Sequence, residues 1–121
     1  MARILVVDDS IVARNNLKTI LAAAPTHEVV GEAINGEEAF EKFLNLRPDI
    51  VTMDITMPKV NGIECLKKII EVDPEARVMM ISALGQGAKI LEALNSGAKH
   101  YITKPFEADK VLEALEEVMS S

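Results

Sequence analysis

The chain has 121 residues, 49% of them hydrophobic, with a formal net charge of −6 and a pI of about 4.9. That length fits one domain with one sizeable core, and the hydrophobic content argues against disorder. The acidic balance argues against direct nucleic-acid binding, no apolar run approaches membrane-spanning length, and the single Cys65 fits a reducing cytoplasm without an internal disulfide.

Met1-Ala2-Arg3 leads straight into the first apolar run and leaves no room for a signal peptide. Ile4-Leu5-Val6-Val7 is short, apolar and β-branched, which predicts a fully buried strand ending at Asp8-Asp9-Ser10. Helical spacing follows at Ile11, Val12, Leu17, Ile20, Leu21 and Ala24, closed by Pro25. Glu28 to Ala33 reads as a short strand near an edge, because its ends are polar. Asn35-Gly36-Glu37-Glu38 is a turn and helix start, with Ala39, Phe40, Phe43 and Leu44 as the apolar face and Arg47-Pro48-Asp49 as the stop.

Val51-Thr52-Met53-Asp54 predicts a central buried strand that breaks at Pro58, with Asp54 where strand becomes loop. After the turn at Asn61-Gly62, a third helix places Ile63, Leu66, Ile69 and Ile70 inward and ends at Asp73-Pro74. Val78-Met79-Met80-Ile81 is a fourth buried strand ending in Ser82-Ala83. Gly85-Gln86-Gly87 leads into a fourth helix, with Ile90, Leu91 and Leu94 expected inward and Ser96-Gly97 as its end. His100 to Thr103 is the fifth strand, followed by Lys104-Pro105-Phe106. A last helix has Val111, Leu112, Leu115, Val118 and Met119 on one side and acids on the other. Five strands alternating with five helices predict an α/β fold: a doubly wound parallel sheet covered on both faces, with right-handed crossovers.

Ligands bind at the carboxyl ends of strands in such sheets. Asp8, Asp9, Asp54, Ser82 and Lys104 all fall at strand ends. If the first and third strands are neighbours, three carboxylates converge in one crevice; they cannot all stay ionised without a cation, and few hard oxygen ligands with water suit Mg²⁺. Lys104 adds a positive group and Ser82 a hydroxyl donor. That set fits phosphoryl transfer, with Asp54 as the covalent acceptor.

Val6-Val7-Asp8-Asp9, Met53-Asp54-Ile55-Thr56-Met57-Pro58 with Asn61-Gly62, Ile81-Ser82-Ala83, Gly97-Ala98-Lys99 and Lys104-Pro105-Phe106 stand in order along the chain. Together they resemble the receiver domain of two-component response regulators, and most the stand-alone chemotaxis members. The resemblance runs over essentially all 121 residues. Ser10-Ile11-Val12-Ala13 departs from it, lacking the Phe-Met type residues of the chemotaxis members. The resemblance implies a flavodoxin-like sheet of order 2-1-3-4-5, with Asp54 as phosphoacceptor. It implies Mg²⁺ on Asp9, Asp54 and the Thr56 carbonyl, with Asp8 acting through water. Ser82 and Lys104 would hold the phosphoryl group, Tyr101 would be a switch aromatic, and Lys104–Pro105 would be cis. Thr56 and Leu84 would flank the hydrolytic water, and neither orients it as Glu or Asn could, so slow self-dephosphorylation is expected. Implied partners are a histidine kinase, a protein target at the fourth helix, fifth strand and fifth helix, and a phosphatase. A cytoplasmic monomer with no output domain and no membrane or nucleic-acid contact is expected.

Two other functions share this architecture. A phosphohydrolase of the haloacid-dehalogenase kind would want a second Asp where Thr56 stands. A flavodoxin-like FMN carrier would want a hydroxyl-rich phosphate loop where Asp8-Asp9 stand. Taken singly, each residue has a plainer role: Asp8-Asp9 a helix cap, Ser82 a turn residue, Lys104 a surface lysine, Tyr101 packing. His27 and His100 lack a third ligand at metal spacing, and Cys65 has no activating neighbour.

Overall fold

Three apolar runs become strands buried along nearly their whole length: β1 (Ala2–Val7), β3 (Ile50–Asp54) and β4 (Val78–Ser82). The computed structural model describes residues 2–24, 26–57, 60–83 and 85–120. The expectations placed on Pro25, Pro58 and Leu84 concern positions outside those residues. The remaining strands are β2 (His27–Ala33) and β5 (His100–Thr103). All pair in parallel, in the order β2-β1-β3-β4-β5, as expected. β2 is an edge strand, and its half-buried Val29 and Val30 reflect that position.

Five helices cover the sheet: α1 (Ile11–Ala22), α2 (Gly36–Leu46), α3 (Gly62–Val72), α4 (Gly87–Asn95) and α5 (Ala108–Ser120). Side chains alternate across a strand, so each central strand feeds two cores. Leu5, Val7, Val51, Met53, Val78 and Met80 pack with Ala39, Phe43, Leu66, Ile69 and Ala93 of α2, α3 and α4. Ile4, Val6, Ile50, Met79 and Ile81 pack with Leu17, Leu21, Val111, Leu115 and Val118 of α1 and α5. Cys65 lies in the first core, and burial pushes its thiol up to about 12, so it is a packing residue.

Local chemistry sets the helix starts. Ser10, Asn35 and Asn61 each accept a backbone N–H of the first turn through the side chain, and Asn61 with Glu64 completes a capping box. Gly97, with φ of 114°, turns the chain after α4.

Three helices depart from the expected faces. In α4 the buried residue is Ala93; Leu91 is 61% and Leu94 38% exposed. The helix rests on the core through Ile90 and Ala93, three residues apart. At 100° per residue the axis midway between them leaves Leu91 about 130° off it and Leu94, about 70° off, at its margin. Ile11 and Val12, at the start of α1, are also exposed. Leu44 of α2 is exposed at the rim of its apolar face.

Candidate functional site

Strand register assembles the site. Val7 aligns with Met53, so the next residues, Asp8 and Asp54, leave the sheet side by side. Asp54 aligns with Ile81, and Ser82 with Thr103, so Ser82 and Lys104 lie one step further along the same rim. The Lys104 N–H donates to the Ser82 carbonyl at 2.9 Å and extends that ladder by one bond.

Asp8 and Asp54 are buried, Asp9 is exposed, and Ser82 is fully buried. The Lys104 ammonium lies 2.9 Å from Asp8 Oδ2 and 3.4 Å from Asp54 Oδ2. The Ser10 N–H donates to Asp8 Oδ1 at 2.9 Å, and the Thr56 N–H donates to Asp54 Oδ1 at 3.4 Å. Burial first, and the Asp8 charge second, push the Asp54 carboxyl up to about 6, although Lys104 pulls the other way. Burial alone would lower the Lys104 ammonium; its contacts with Asp8 and Asp54 outweigh that and hold it above the ordinary lysine value.

One lysine does not balance this acid cluster. Ligand oxygens of Asp8, Asp9 and Asp54 lie within 4.8 Å of one another. Asp8 Oδ2 is buried without an aligned hydrogen bond; its contact with Lys104 is one of charge, which leaves a lone pair unused. A hard divalent cation, held by a few oxygens and water, suits that donor set.

Among the described residues Ser82 Oγ reaches only the Ile102 carbonyl, at a long 3.5 Å. Tyr101, 40% exposed, lines a groove of about 550 Å³ between β5 and α5, with Thr103, Lys104, Lys110 and Glu117. In the same groove His100 Nε2 lies 2.7 Å from Glu117 Oε2. The Lys104–Pro105 peptide is cis. His27 and His100 are far apart in the fold, at opposite edges of the sheet.

Two residues escaped the sequence reading. Arg14 donates to the Asp8 carbonyl at 2.8 Å and pairs with Glu32 on β2 at 3.0 Å, bracing the β1–α1 turn. Gln86 bridges two loops at the rim: its Oε1 accepts from the Ala83 N–H at 2.6 Å, and its Nε2 donates to Thr56 Oγ1 at 2.7 Å. Nothing in the local sequence marks either contact, because the partners come from other elements.

Comparison with known proteins gives a consistent result. The sequence pattern of the response regulator receiver domain matches residues 4–116. A chemotaxis protein CheY of Thermotoga maritima is 52% identical over 116 residues, covering 96% of each chain. The crystal structure of the response regulator domain of Thermotoga maritima CheB superposes with a TM-score of 0.93 at 43% identity, covering 100% of this chain and 98% of that one. CheY in a CheX-CheY-BeF3-Mg complex from Borrelia burgdorferi superposes with a TM-score of 0.91 at 43% identity, covering 97% and 88%.

Proposed function

This chain belongs to the response regulator receiver family, and we propose that it works as an Mg²⁺-dependent phosphorylation switch in chemotaxis. The observation that carries this is the buried Asp54 at the end of β3, with Lys104 at 3.4 Å and a backbone donor at Thr56. In the reaction, an Asp54 carboxylate oxygen forms a bond to phosphorus. The bond from phosphorus to the histidine nitrogen of a kinase, or to the acyl oxygen of a small donor, breaks and takes its electron pair with the leaving group. Lys104 offsets charge on the transferring group, and Ser82 is within one residue of the same rim. When bound by Asp9, Asp54 and the Thr56 carbonyl, with Asp8 through water, Mg²⁺ would neutralise the phosphoryl oxygens. The Mg and BeF3 named for the Borrelia burgdorferi complex support that assignment.

The product is a charged group beside Ser82 and Lys104. It biases a two-state surface rather than being released, which separates a switch from a phosphohydrolase. The output face is α4, β5 and α5, where Tyr101, Leu91 and Leu94 are exposed; a monomer docks a protein target there, and a partner phosphatase resets it. The similarity to a chemotaxis protein along 96% of the chain supports the pathway.

The test is labelling by acetyl phosphate with Mg²⁺. Wild type should label, Asp54→Asn should not, and Asp9→Ala should need more Mg²⁺. Labelling of Asp54→Asn at the wild-type level would show the acceptor to be another residue.

A further inference from the structure

Gln86 is the sole glutamine of the chain and stands at the N-cap position of α4. Residues at that position commonly turn their side chains to the first-turn N–H groups of their own helix. Gln86 makes no such bond. Its carboxamide turns back across the rim, accepting from Ala83 N–H and donating to the Thr56 hydroxyl.

The direction of the Ala83 N–H follows from strand geometry. The Ile81 carbonyl accepts from Ile55 N–H, toward β3, and the Ser82 carbonyl accepts from Lys104 N–H, toward β5. Backbone polar groups alternate sides along a strand, so the Ala83 N–H faces the β3 side again. There β3 has already ended at Asp54, and no strand carbonyl meets the donor. Gln86 Oε1 takes it instead. Thr56, the other partner of Gln86, also donates its N–H to Asp54 Oδ1. A phosphoryl group on Asp54 therefore extends toward the rim that the Gln86 carboxamide spans.

We propose that Gln86 is a latch: in the unphosphorylated protein its carboxamide ties Ala83 to Thr56, and a phosphoryl group on Asp54 displaces it by taking the Ala83 N–H. A charged phosphoryl oxygen is a stronger acceptor than a neutral amide oxygen, so the exchange runs in that direction. Release frees the N-cap residue of α4, a helix with a single buried residue, Ala93, and so ties the acceptor site to α4. Gln86 acts as a positioning residue: its hydrogen bonds go to Ala83 and Thr56 rather than to Asp54. The latch rests on the phosphorylation reading above and adds a named competitor to it.

The experiment compares wild type with Gln86→Met, which keeps the side chain's length and removes both bonds, and with Gln86→Ala as a second variant. Acetyl phosphate labelling with Mg²⁺ should be about threefold to tenfold faster in both, the range that one net hydrogen bond allows. By NMR, the Ala83 amide should exchange faster in the variants. The only glutamine carboxamide pair of the wild type should shift when beryllofluoride and Mg²⁺ are added. Equal or slower labelling in both variants, or a Gln86 signal unmoved by a beryllofluoride complex that does form, would overturn the latch while leaving the switch intact. A wild type that neither labels nor binds beryllofluoride would sink the proposed function and the latch with it.

Discussion

The Gly36 N–H donates to the Val60 carbonyl at 2.9 Å, and a Cβ on Gly36 would lie 2.1 Å from that same oxygen. The turn before α2 thereby braces the loop that runs from Asp54 to α3. A side chain at this position has no room, because the obstacle is backbone. Gly87, the first residue of α4, has nothing within 4 Å of its Cβ direction. The same Gly→Ala change should therefore have opposite signs. Gly36→Ala should destabilise by about 1–3 kcal/mol through overpacking, and Gly87→Ala should stabilise by about 0.4–1 kcal/mol by restricting the unfolded chain. Urea unfolding of both variants checks this; a Gly36→Ala variant no less stable than wild type would show that the Gly36 contact does not hold the loop.

Thr52 is fully buried in β3, and its hydroxyl has no hydrogen-bond partner among the described residues. Its register neighbours are Val6 and Met79, both apolar. Thr52→Val replaces the hydroxyl by a methyl of similar shape. It should stabilise by about 1 kcal/mol, the lower end of the cost of burying an unpaired hydroxyl. A lowered urea midpoint would mean that the hydroxyl is satisfied in solution.

Asp54 bears on stability as well as on chemistry. Its carboxyl is raised from 3.8 to about 6, by burial and then by Asp8. The unfolded chain loses that proton more readily, so ionisation opposes folding. The contribution favours the fold below about pH 4 and is lost as pH rises through about 6. In EDTA at pH 7, Asp54→Asn should be more stable than wild type by about 1–3 kcal/mol, with the gap closing toward pH 4. Added Mg²⁺ should stabilise wild type more than the variant. Equal stability across that pH range in EDTA would refute the raised Asp54 carboxyl.

The strand ends were legible because period and composition converge there. Ile4 to Val7 and Val78 to Ile81 are uniformly apolar and Val51 to Met53 is broken only by Thr52, as suits strands buried on both faces, and each is followed at once by a polar residue. The parallel sheet follows from that pattern; the meeting of Asp8 with Asp54 also needs β1 beside β3, an order that the resemblance to receiver domains implied. The phase of α4 did not follow, because Ile90, Leu91, Ala93 and Leu94 allow two inward axes, and the small Ala93 won through close approach to the core. Gln86 was illegible for another reason. Its role depends on a loop folding back three residues to Ala83 and across to Thr56, thirty residues away.

Tyr101 is the one tyrosine in a chain without tryptophan, so its emission reports on that site alone. It is 40% exposed beside β5, while Ser82, on the adjacent strand, is fully buried. Among the described residues the Ser82 hydroxyl is held only by a 3.5 Å contact to the Ile102 carbonyl, too long to fix its direction. A phosphoryl group near Lys104 offers the hydroxyl stronger acceptors, and its reorientation leaves space toward β5. Tyr101 can fill that space and bury its ring. Two packings separated by a few kcal/mol then exchange population. Acrylamide quenching of the tyrosine emission should fall when Mg²⁺ and beryllofluoride are added together, and should stay constant in Asp54→Asn. Ser82→Ala removes the hydroxyl but leaves room for the ring, so its Tyr101 should be less quenched even without the phosphoryl mimic. Quenching unchanged by beryllofluoride in wild type, with binding confirmed separately, would show that Tyr101 takes no part in the switch.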